Sequence, residues 1–235
     1  MSGSSRVTRK RQERRNKIIE AASALIAEQG AADFSMHQLA KDLDYTPGAL
    51  YWYFPSKEAV VVAVQIHAFE ALAVELRELR VASASQPFAQ SLPAPQRPLF
   101  TTLRFADYYL SLIIHRPEWI RLISFSLDPR VWLSEEEAPK LAPVLMQLFA
   151  EVAQPISDAM SSGALSQGNP GYRAVQFWLA VHGPLQTAKL ARLGTGLFSP
   201  RELGIDSAAT LLRGWGADPR IVDAICQEIE APSCY

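Results

Sequence analysis

The fold is decided by residues 35–57, which read SMHQLAKDLDYTPGALYWYFPSK. Ser35 followed three residues later by Gln38 has the spacing of a capping box, so a helix is predicted to begin there. Thr46 is suited to cap a second helix, and Pro47 suits its first turn, where a missing N–H has no cost. The residues between them break the apolar pattern. The stretch therefore predicts two short helices joined by a tight turn, which is the helix-turn-helix outline.

The second predicted helix carries an unusual outward face. Leu50 and Phe54 are four residues apart and are expected to face inward together. The outward and flanking positions share small or aromatic side chains: Gly48, Ala49, Tyr51, Trp52 and Tyr53. Small residues let a backbone approach a groove closely, and tyrosine hydroxyls can reach phosphates or base edges. The alternative is that Trp52 and one tyrosine belong to the core, although three consecutive aromatic side chains cannot all point inward.

Four segments, in this order and spacing, resemble the DNA-binding domain of TetR-family transcriptional regulators. They are ERRNKIIEAA at 13–22, AEQG at 27–30, FSMHQLA at 34–40 and PGALYWYFPSKE at 47–58. The resemblance covers about residues 11–70. Asp44 departs from it, because the family usually has glycine in the corner between the two helices. Aspartate tolerates a left-handed backbone better than most residues, so the turn remains compatible with the family fold.

The resemblance implies that the second short helix lies in a groove of double-stranded DNA. We expect the groove to be faced by Thr46, Gly48, Ala49, Tyr51 and Tyr53, with His37 at its edge. We expect phosphates to be held by Ser35, Lys57 and the basic residues of the first helix, Arg11, Arg14 and Arg15. The alternative for Lys57 is an ordinary surface lysine.

The charge is divided unequally along the chain. The net charge is −1, but residues 1–57 hold nine Lys and Arg against six Asp and Glu, a balance of +3. The first twenty residues alone hold seven basic and two acidic side chains. A basic end attached to an acidic remainder is expected if only that end meets phosphate. The alternative, a merely solvated charged face, is less favoured because the run adjoins the two-helix unit.

Several classes of protein are not supported by the sequence. The basic N-terminus has no apolar segment behind it, so no secretory signal is expected, and no uncharged apolar run of about 18 residues predicts a membrane span. Cys226 and Cys234 are expected to be reduced thiols of a cytoplasmic protein. The four histidines form no metal-ligand motif. With no phosphate loop, nucleophile elbow or paired carboxylates, we expect no catalytic residues, metal or cofactor, and no enzyme.

Helical periodicity recurs along the chain and no period of two is evident, so an all-α fold is predicted. The expected parts are a flexible basic arm at 1–10, a helix-turn-helix DNA-binding domain at 11–56, a connecting helix shared by both domains at 57–81, and a helical effector-binding and dimerisation domain at 82–235. Residues 82–98 contain four prolines and are predicted to form a loop.

The C-terminal part offers candidates for a small-molecule pocket, which the resemblance implies. The aromatic and histidine candidates are Phe105, Tyr109, His115, Trp119, Phe149 and Trp178. Asp107 and His182 are further polar groups that could orient a ligand. Each of these has an alternative interpretation as an ordinary core residue, because aromatic side chains at helical spacing usually are core. The predicted helix at 172–193 and the closing helices resemble the dimer interface of the family.

These expectations combine into a ligand-responsive repressor. Without ligand, the homodimer would bind a palindromic operator. A small apolar or aromatic effector would shift the connecting helix at 57–81 and release the dimer from the DNA. A coupling of roughly 1–3 kcal/mol would change operator affinity about 5- to 150-fold. The alternatives are a small-molecule-sequestering or partner-binding protein with a vestigial DNA head, and a transcriptional activator of the same fold.

Overall fold

A computed structural model describes residues 2–126, 134–187 and 199–231, with the side chains of all of these except 2–5, 125 and 126. The elements in these ranges are helices, which confirms the all-α prediction. In chain order they are α1 (Ser2–Gln29), α2 (Met36–Asp42), α3 (Pro47–Tyr53), α4 (Lys57–Ser85), α5 (Pro87–Ser91), a 3₁₀ turn (Ala94–Gln96), α6 (Arg97–His115), α7 (Pro117–Ser126), α8 (Ala138–Ser161), α9 (Pro170–Gln186), α10 (Pro200–Gly214) and α11 (Pro219–Glu230).

The chain divides into two compact units. The first comprises Met1–Ala71 with Arg116–Leu145, and the second comprises Leu72–His115 with Met146–Tyr235. Two of the three boundaries between the units fall within helices, so α4 and α8 contribute residues to each unit. The division differs from the boundaries expected from sequence, since α7 belongs with the N-terminal unit. The functional domain boundaries stay a prediction.

The two short helices begin and end as local sequence rules predict. The Ser35 side chain accepts a hydrogen bond from the backbone N–H of His37 (3.2 Å), and Thr46 accepts one from Ala49 (3.2 Å). Asp44, between them, has a φ of 54°, the left-handed conformation that the turn requires. Gln38 does not complete the predicted capping box, because its amide instead donates to Asp42 at 2.6 Å.

The helix-turn-helix core fixes α1, α2 and α3 against one another. Its buried members come from these three helices, from residues next to them and from α4: Ile18, Ala22, Ile26, Phe34, Leu39, Ala40, Leu50, Phe54 and Val60. Leu50 and Phe54 face inward, as their spacing predicts. Burial of these side chains, rather than helix propensity, holds α2 and α3, because helices of seven residues are not stable alone.

The start of α1 was predicted wrongly. Residues 2–10, expected to be a flexible arm before a helix starting near Arg11, are the first turns of α1. An existing helix extends at low cost, since only its first turn carries the entropic penalty of nucleation. The ion pair of Arg9 with Glu13 (3.4 Å) joins the extension to the remainder of the helix. The basic residues of the first turns are therefore held along a helix.

The proline-rich segment is also more helical than expected. α4 continues to Ser85 instead of ending at 81, and a short helix follows at Pro87–Ser91 within the segment predicted to be a loop. Pro87 occupies the first turn of that helix, where proline is favoured. The prediction of a loop treated the prolines as residues that end helices, whereas Pro87 begins one.

Helix α4 is long and apolar enough to cross a membrane by composition alone, but 67% of its most apolar 18-residue window is buried inside the structure. A helix that is apolar all round is expected in a protein core as well as in a membrane. Its burial accounts for its composition, so we assign it as a core helix.

The second unit is built on α6, α9 and α10. The approach of α10 to α6 is close at Gly204, where an added Cβ would lie 2.6 Å from a methyl of Leu110. Asp107 accepts from Arg201 at 2.6 and 2.9 Å and from Arg104 at 3.2 Å. Asp107, considered from sequence as a ligand-orienting group, is thus already paired with two arginines and joins α6 to α10.

Candidate nucleic-acid interface

Helix α3 presents the small and aromatic face that its sequence predicts. Thr46, Gly48 and Ala49 are exposed, and a Cβ added at Gly48 would meet nothing within 4 Å. Trp52 is 62% exposed and Tyr51 45% exposed, whereas Tyr53 is half-buried and packs against the core. The alternative of a core position therefore holds in part for one tyrosine and is wrong for Trp52. The apolar surface of this helix therefore lies outside the core, where large exposed apolar groups usually mark a contact surface.

The basic side chains of α1 contact the aromatic residues of α3. The Arg11 guanidinium lies over the Trp52 ring at 4.6 Å, and that of Arg15 lies over Phe54 at 4.9 Å. Such cation–π contacts orient both partners. Arg14 hydrogen-bonds the half-buried Tyr53, and this bond raises the pKa of the guanidinium above its ordinary value. Arg11 and Arg14 of α1 thus lie on one surface with Trp52 and Tyr53 of α3.

A groove of about 630 Å³ lies between α1 and α3. Its α1 side is lined by Val7, Lys10, Arg11 and Arg14, and its α3 side by Tyr45, Ala49, Trp52 and Tyr53. Four of these residues, Val7, Lys10, Tyr45 and Trp52, were not among the predicted DNA-binding residues. Lys10 was identifiable as the basic residue four positions before Arg14, but only once the helix was extended to the start of the chain.

Lys57 is placed differently from the other predicted phosphate ligands. Its ammonium group donates to the carbonyl of Ala32 and lies over the Phe34 ring at 5.0 Å. It therefore stabilises the junction of α1 and α2 in the protein itself, and its phosphate contact stays a prediction. Ser35 and His37 are exposed beside it, and their DNA contacts are likewise untested.

The six predicted pocket residues do not come together as one group. Trp119 lies in the first unit, where it packs on the helix-turn-helix core beneath Arg116 (4.4 Å). His115 is exposed at the end of α6. Phe105 and Tyr109 are buried in the second unit, and the rings of Phe149 and Trp178 meet edge to face at 5.6 Å. Four of the six remain candidates for an effector site.

A polar chain runs through the aromatic residues of the second unit. The Tyr109 hydroxyl lies 2.8 Å from His182 Nδ1, and His182 Nε2 lies 2.8 Å from the amide of Gln186. The ring of Trp178 stacks on His182 at 5.2 Å. The amide nitrogen of Gln186 can only donate, so His182 Nε2 accepts from it. The ring proton is then on Nδ1, which donates to the Tyr109 hydroxyl.

Burial determines the protonation states of Tyr109 and His182. It lowers the pKa of His182 below its ordinary value of about 6.5 and raises the pKa of Tyr109 above its ordinary range. Both groups are thus held neutral at physiological pH. Among the residues that the structure describes, no three His, Cys, Asp or Glu side chains are grouped as metal ligands.

His182 is expected to make stability depend on pH. Because its folded-state pKa is depressed, the unfolded chain takes up the proton first as the pH falls. The stability that neutral His182 contributes is complete above its pKa in the unfolded chain, about 6.5. This stability is lost as the pH falls through the pKa in the folded protein, by at most about 1.4 kcal/mol per pH unit. Thermal unfolding of wild type and His182→Gln between pH 7.5 and 5 measures this. The variant should lose less stability, and parallel curves would contradict the assignment.

Residues 18–64 match the profile of the family described as bacterial regulatory proteins, tetR family. The HTH-type transcriptional regulator SrpR of Pseudomonas putida is 40% identical over 53 residues, which is 23% of this chain and 25% of SrpR. The match to this relative therefore spans only a quarter of its length.

Solved structures share the whole fold at low identity. RolR in complex with resorcinol is 17% identical with a TM-score of 0.66, covering 96% of this chain and 97% of RolR. The regulator FadR of Bacillus subtilis, in complex with stearoyl-CoA, is 15% identical with a TM-score of 0.62, covering 84% and 97%. Identities this low establish the fold alone.

The capped α2–turn–α3 unit, with its exposed outer face, is a helix-turn-helix motif, and a helical second unit accompanies it. Residues 18–64, which include this motif, carry the N-terminal domain of the tetR family of bacterial regulatory proteins.

Proposed function

We propose that the protein is a ligand-responsive transcriptional repressor that binds palindromic operator DNA as a homodimer in the cytoplasm. The observation that carries this proposal is the surface formed by α1 and α3. An apolar and aromatic helix face is exposed, and three cations of α1 border it, namely Lys10, Arg11 and Arg14. Apolar contact with base edges and cationic contact with phosphates are the two components of DNA recognition.

Salt dependence tests the phosphate component. Binding of full-length protein to duplexes enriched from a random pool is expected to weaken steeply with salt, because each phosphate contact releases a counterion. Lys10→Gln should reduce the slope of log K against log[salt] by about 0.9, the value for one phosphate. Fluorescence anisotropy across a salt series gives both slopes.

A charge-matched control separates this contact from a general effect of net charge. Arg220 is exposed on α11 in the second unit, so Arg220→Gln should leave the slope unchanged. Equal slopes for Lys10→Gln and wild type would remove Lys10 from the interface. Equal affinity of wild type for every duplex, at any salt, would reject the repressor proposal.

Dimerisation is supported by an apolar stripe on α9. Tyr172, Val175 and Leu179 lie three and four residues apart and are 66%, 37% and 52% exposed. Leu203 of α10, which packs with α9, is 38% exposed. A two-fold dimer would cover this stripe and pair two α3 helices, as a palindrome requires. Sedimentation of the protein as a monomer at micromolar concentration would contradict it.

An apolar or aromatic effector is supported by the residues around His182. Phe149, Trp178 and Tyr109 supply aromatic surface, and the Tyr109–His182–Gln186 chain supplies polar groups within it. Small-molecule sites combine these two features. The RolR and FadR structures hold resorcinol and stearoyl-CoA, so the fold accommodates such ligands. Calorimetric titration of candidate compounds against wild type and Trp178→Ala would test the site.

A further inference from the structure

We propose that α3 recognises thymine through its 5-methyl group, by van der Waals contact from Ala49 and Trp52, so one or two of the base pairs that face this helix in each half-site are T·A. This rests on the proposed function, because it assumes that α3 enters the major groove. It goes further by naming the base that is recognised and the two side chains that recognise it.

The first support is the side-chain inventory of α3. Its sequence, Pro47–Tyr53, contains no Arg, Lys, Asn, Gln, Asp or Glu. Paired hydrogen bonds to guanine come from Arg or Lys, those to adenine from Asn or Gln, and cytosine is read by Asp or Glu. The helix that would enter the groove therefore lacks every side chain that reads guanine, adenine or cytosine by this means.

Several of the nearby polar groups are bonded within the protein. The Thr46 hydroxyl accepts from the N–H of Ala49, and Tyr53 bonds Arg14. On α2, the amide of Gln38 donates to Asp42 at 2.6 Å. Gln38 is the one residue of the α2–turn–α3 segment whose amide could pair with adenine, and its bond to Asp42 occupies that amide. These bonds limit hydrogen-bonded base selectivity, and the exposed Tyr51 of α3 still presents a hydroxyl that can reach phosphates or base edges.

The second support is the apolar surface that α3 does present. Ala49 and Trp52 are three residues apart on one face and line the same groove. The Trp52 ring is 62% exposed yet fixed in place, with Arg11 over its face at 4.6 Å and Tyr53 edge-on at 4.8 Å. A preordered aromatic ring loses little further entropy when it is covered.

Thymine matches this surface. Its C5-methyl group is the only methyl group that the four standard bases display in the major groove, and alanine and aromatic side chains are among the types that contact it. Gly48, exposed next to Ala49, leaves room for the helix to approach the base edge closely. Apolar contact with the methyl is therefore the base-specific interaction that this helix is built to make.

Deoxyuridine substitution tests the proposal, because it removes the methyl and leaves every hydrogen-bonding group of the base unchanged. Full-length protein is bound to a duplex enriched from a random pool, and each thymine of a half-site is replaced singly by deoxyuridine. At one or two positions per half-site we expect affinity to fall roughly fourfold for each methyl removed. Fluorescence anisotropy at fixed salt is the measurement.

Two variants assign the contact. Because the Trp52 side chain is exposed, Trp52→Ala should fold as the wild type does. In this variant, deoxyuridine should no longer lower the affinity at the position that Trp52 contacts. In Lys10→Gln, the matched control, affinity for thymine and deoxyuridine duplexes should fall by the same factor and the penalty should persist. Circular dichroism checks that both variants are folded. If Trp52→Ala binds too weakly to measure, the deoxyuridine series with the wild-type protein is the test by itself.

The outcomes distinguish this inference from the proposed function. Tight, salt-dependent binding with no deoxyuridine penalty at any position overturns the inference and leaves the repressor proposal standing. An enriched half-site without thymine where α3 lies, or a penalty that persists unchanged in Trp52→Ala, also overturns it. Failure of any duplex to enrich overturns both.

Discussion

Replacing Leu50 by alanine is expected to destabilise the first unit by about 2–5 kcal/mol. Leu50 has no exposed surface and lies in the helix-turn-helix core. Truncation removes buried methyl groups and leaves a cavity that the neighbouring helices fill only in part. Since whole domains are stable by only about 5–15 kcal/mol, the loss is large. α3 has seven residues, so it depends on the packing of Leu50 for its order.

Urea unfolding followed by circular dichroism, together with hydrogen exchange of the α2 and α3 amides, measures the effect. DNA binding should be abolished even though Leu50 faces away from the outer surface, because α3 no longer holds its shape. Ile114→Ala is the control, since Ile114 is 76% exposed and its truncation should change stability by less than about 0.5 kcal/mol. Unaltered α3 exchange in Leu50→Ala would show that other contacts order this helix.

The parts of the fold that sequence predicts well depend on short-range chemistry. Ser35 and Thr46 cap the helices that their spacing indicates, Asp44 takes the left-handed turn, and Leu50 faces inward. Each of these follows from a residue and its neighbours within four positions. The core face and the outer face of α3 could therefore be assigned before any tertiary contact was known.

The parts that sequence did not predict depend on long-range packing. Tyr109 and His182 are 73 positions apart, and nothing local to either residue indicates their hydrogen bond. Trp119 was grouped with the effector pocket by its residue type, yet it packs on the helix-turn-helix core. Lys57 was predicted to hold a phosphate from its place at the start of a helix and partly from resemblance, and nothing local indicates its bond to Ala32, 25 positions earlier in the chain.

The outward face of α3 can be tested by a substitution that separates folding from binding. Gly48 lies in a helix, where glycine is less favourable than alanine or leucine by up to about 1 kcal/mol. A Cβ at this position meets nothing within 4 Å in the protein. Gly48→Ala and Gly48→Leu should therefore be as stable as wild type or slightly more so. Thermal unfolding without DNA measures this.

In the complex with DNA the same substitutions should act in the opposite direction. If Gly48 faces the groove, an added side chain holds α3 away from the bases, and each base pair that α3 no longer recognises costs about 1–3 kcal/mol, roughly 5- to 150-fold in affinity. Gly48→Leu should weaken binding more than Gly48→Ala, because the longer side chain enforces a larger separation. Weaker binding by a protein of undiminished stability cannot come from unfolding. Unchanged affinity in Gly48→Leu would instead move the DNA-reading surface away from this face of α3.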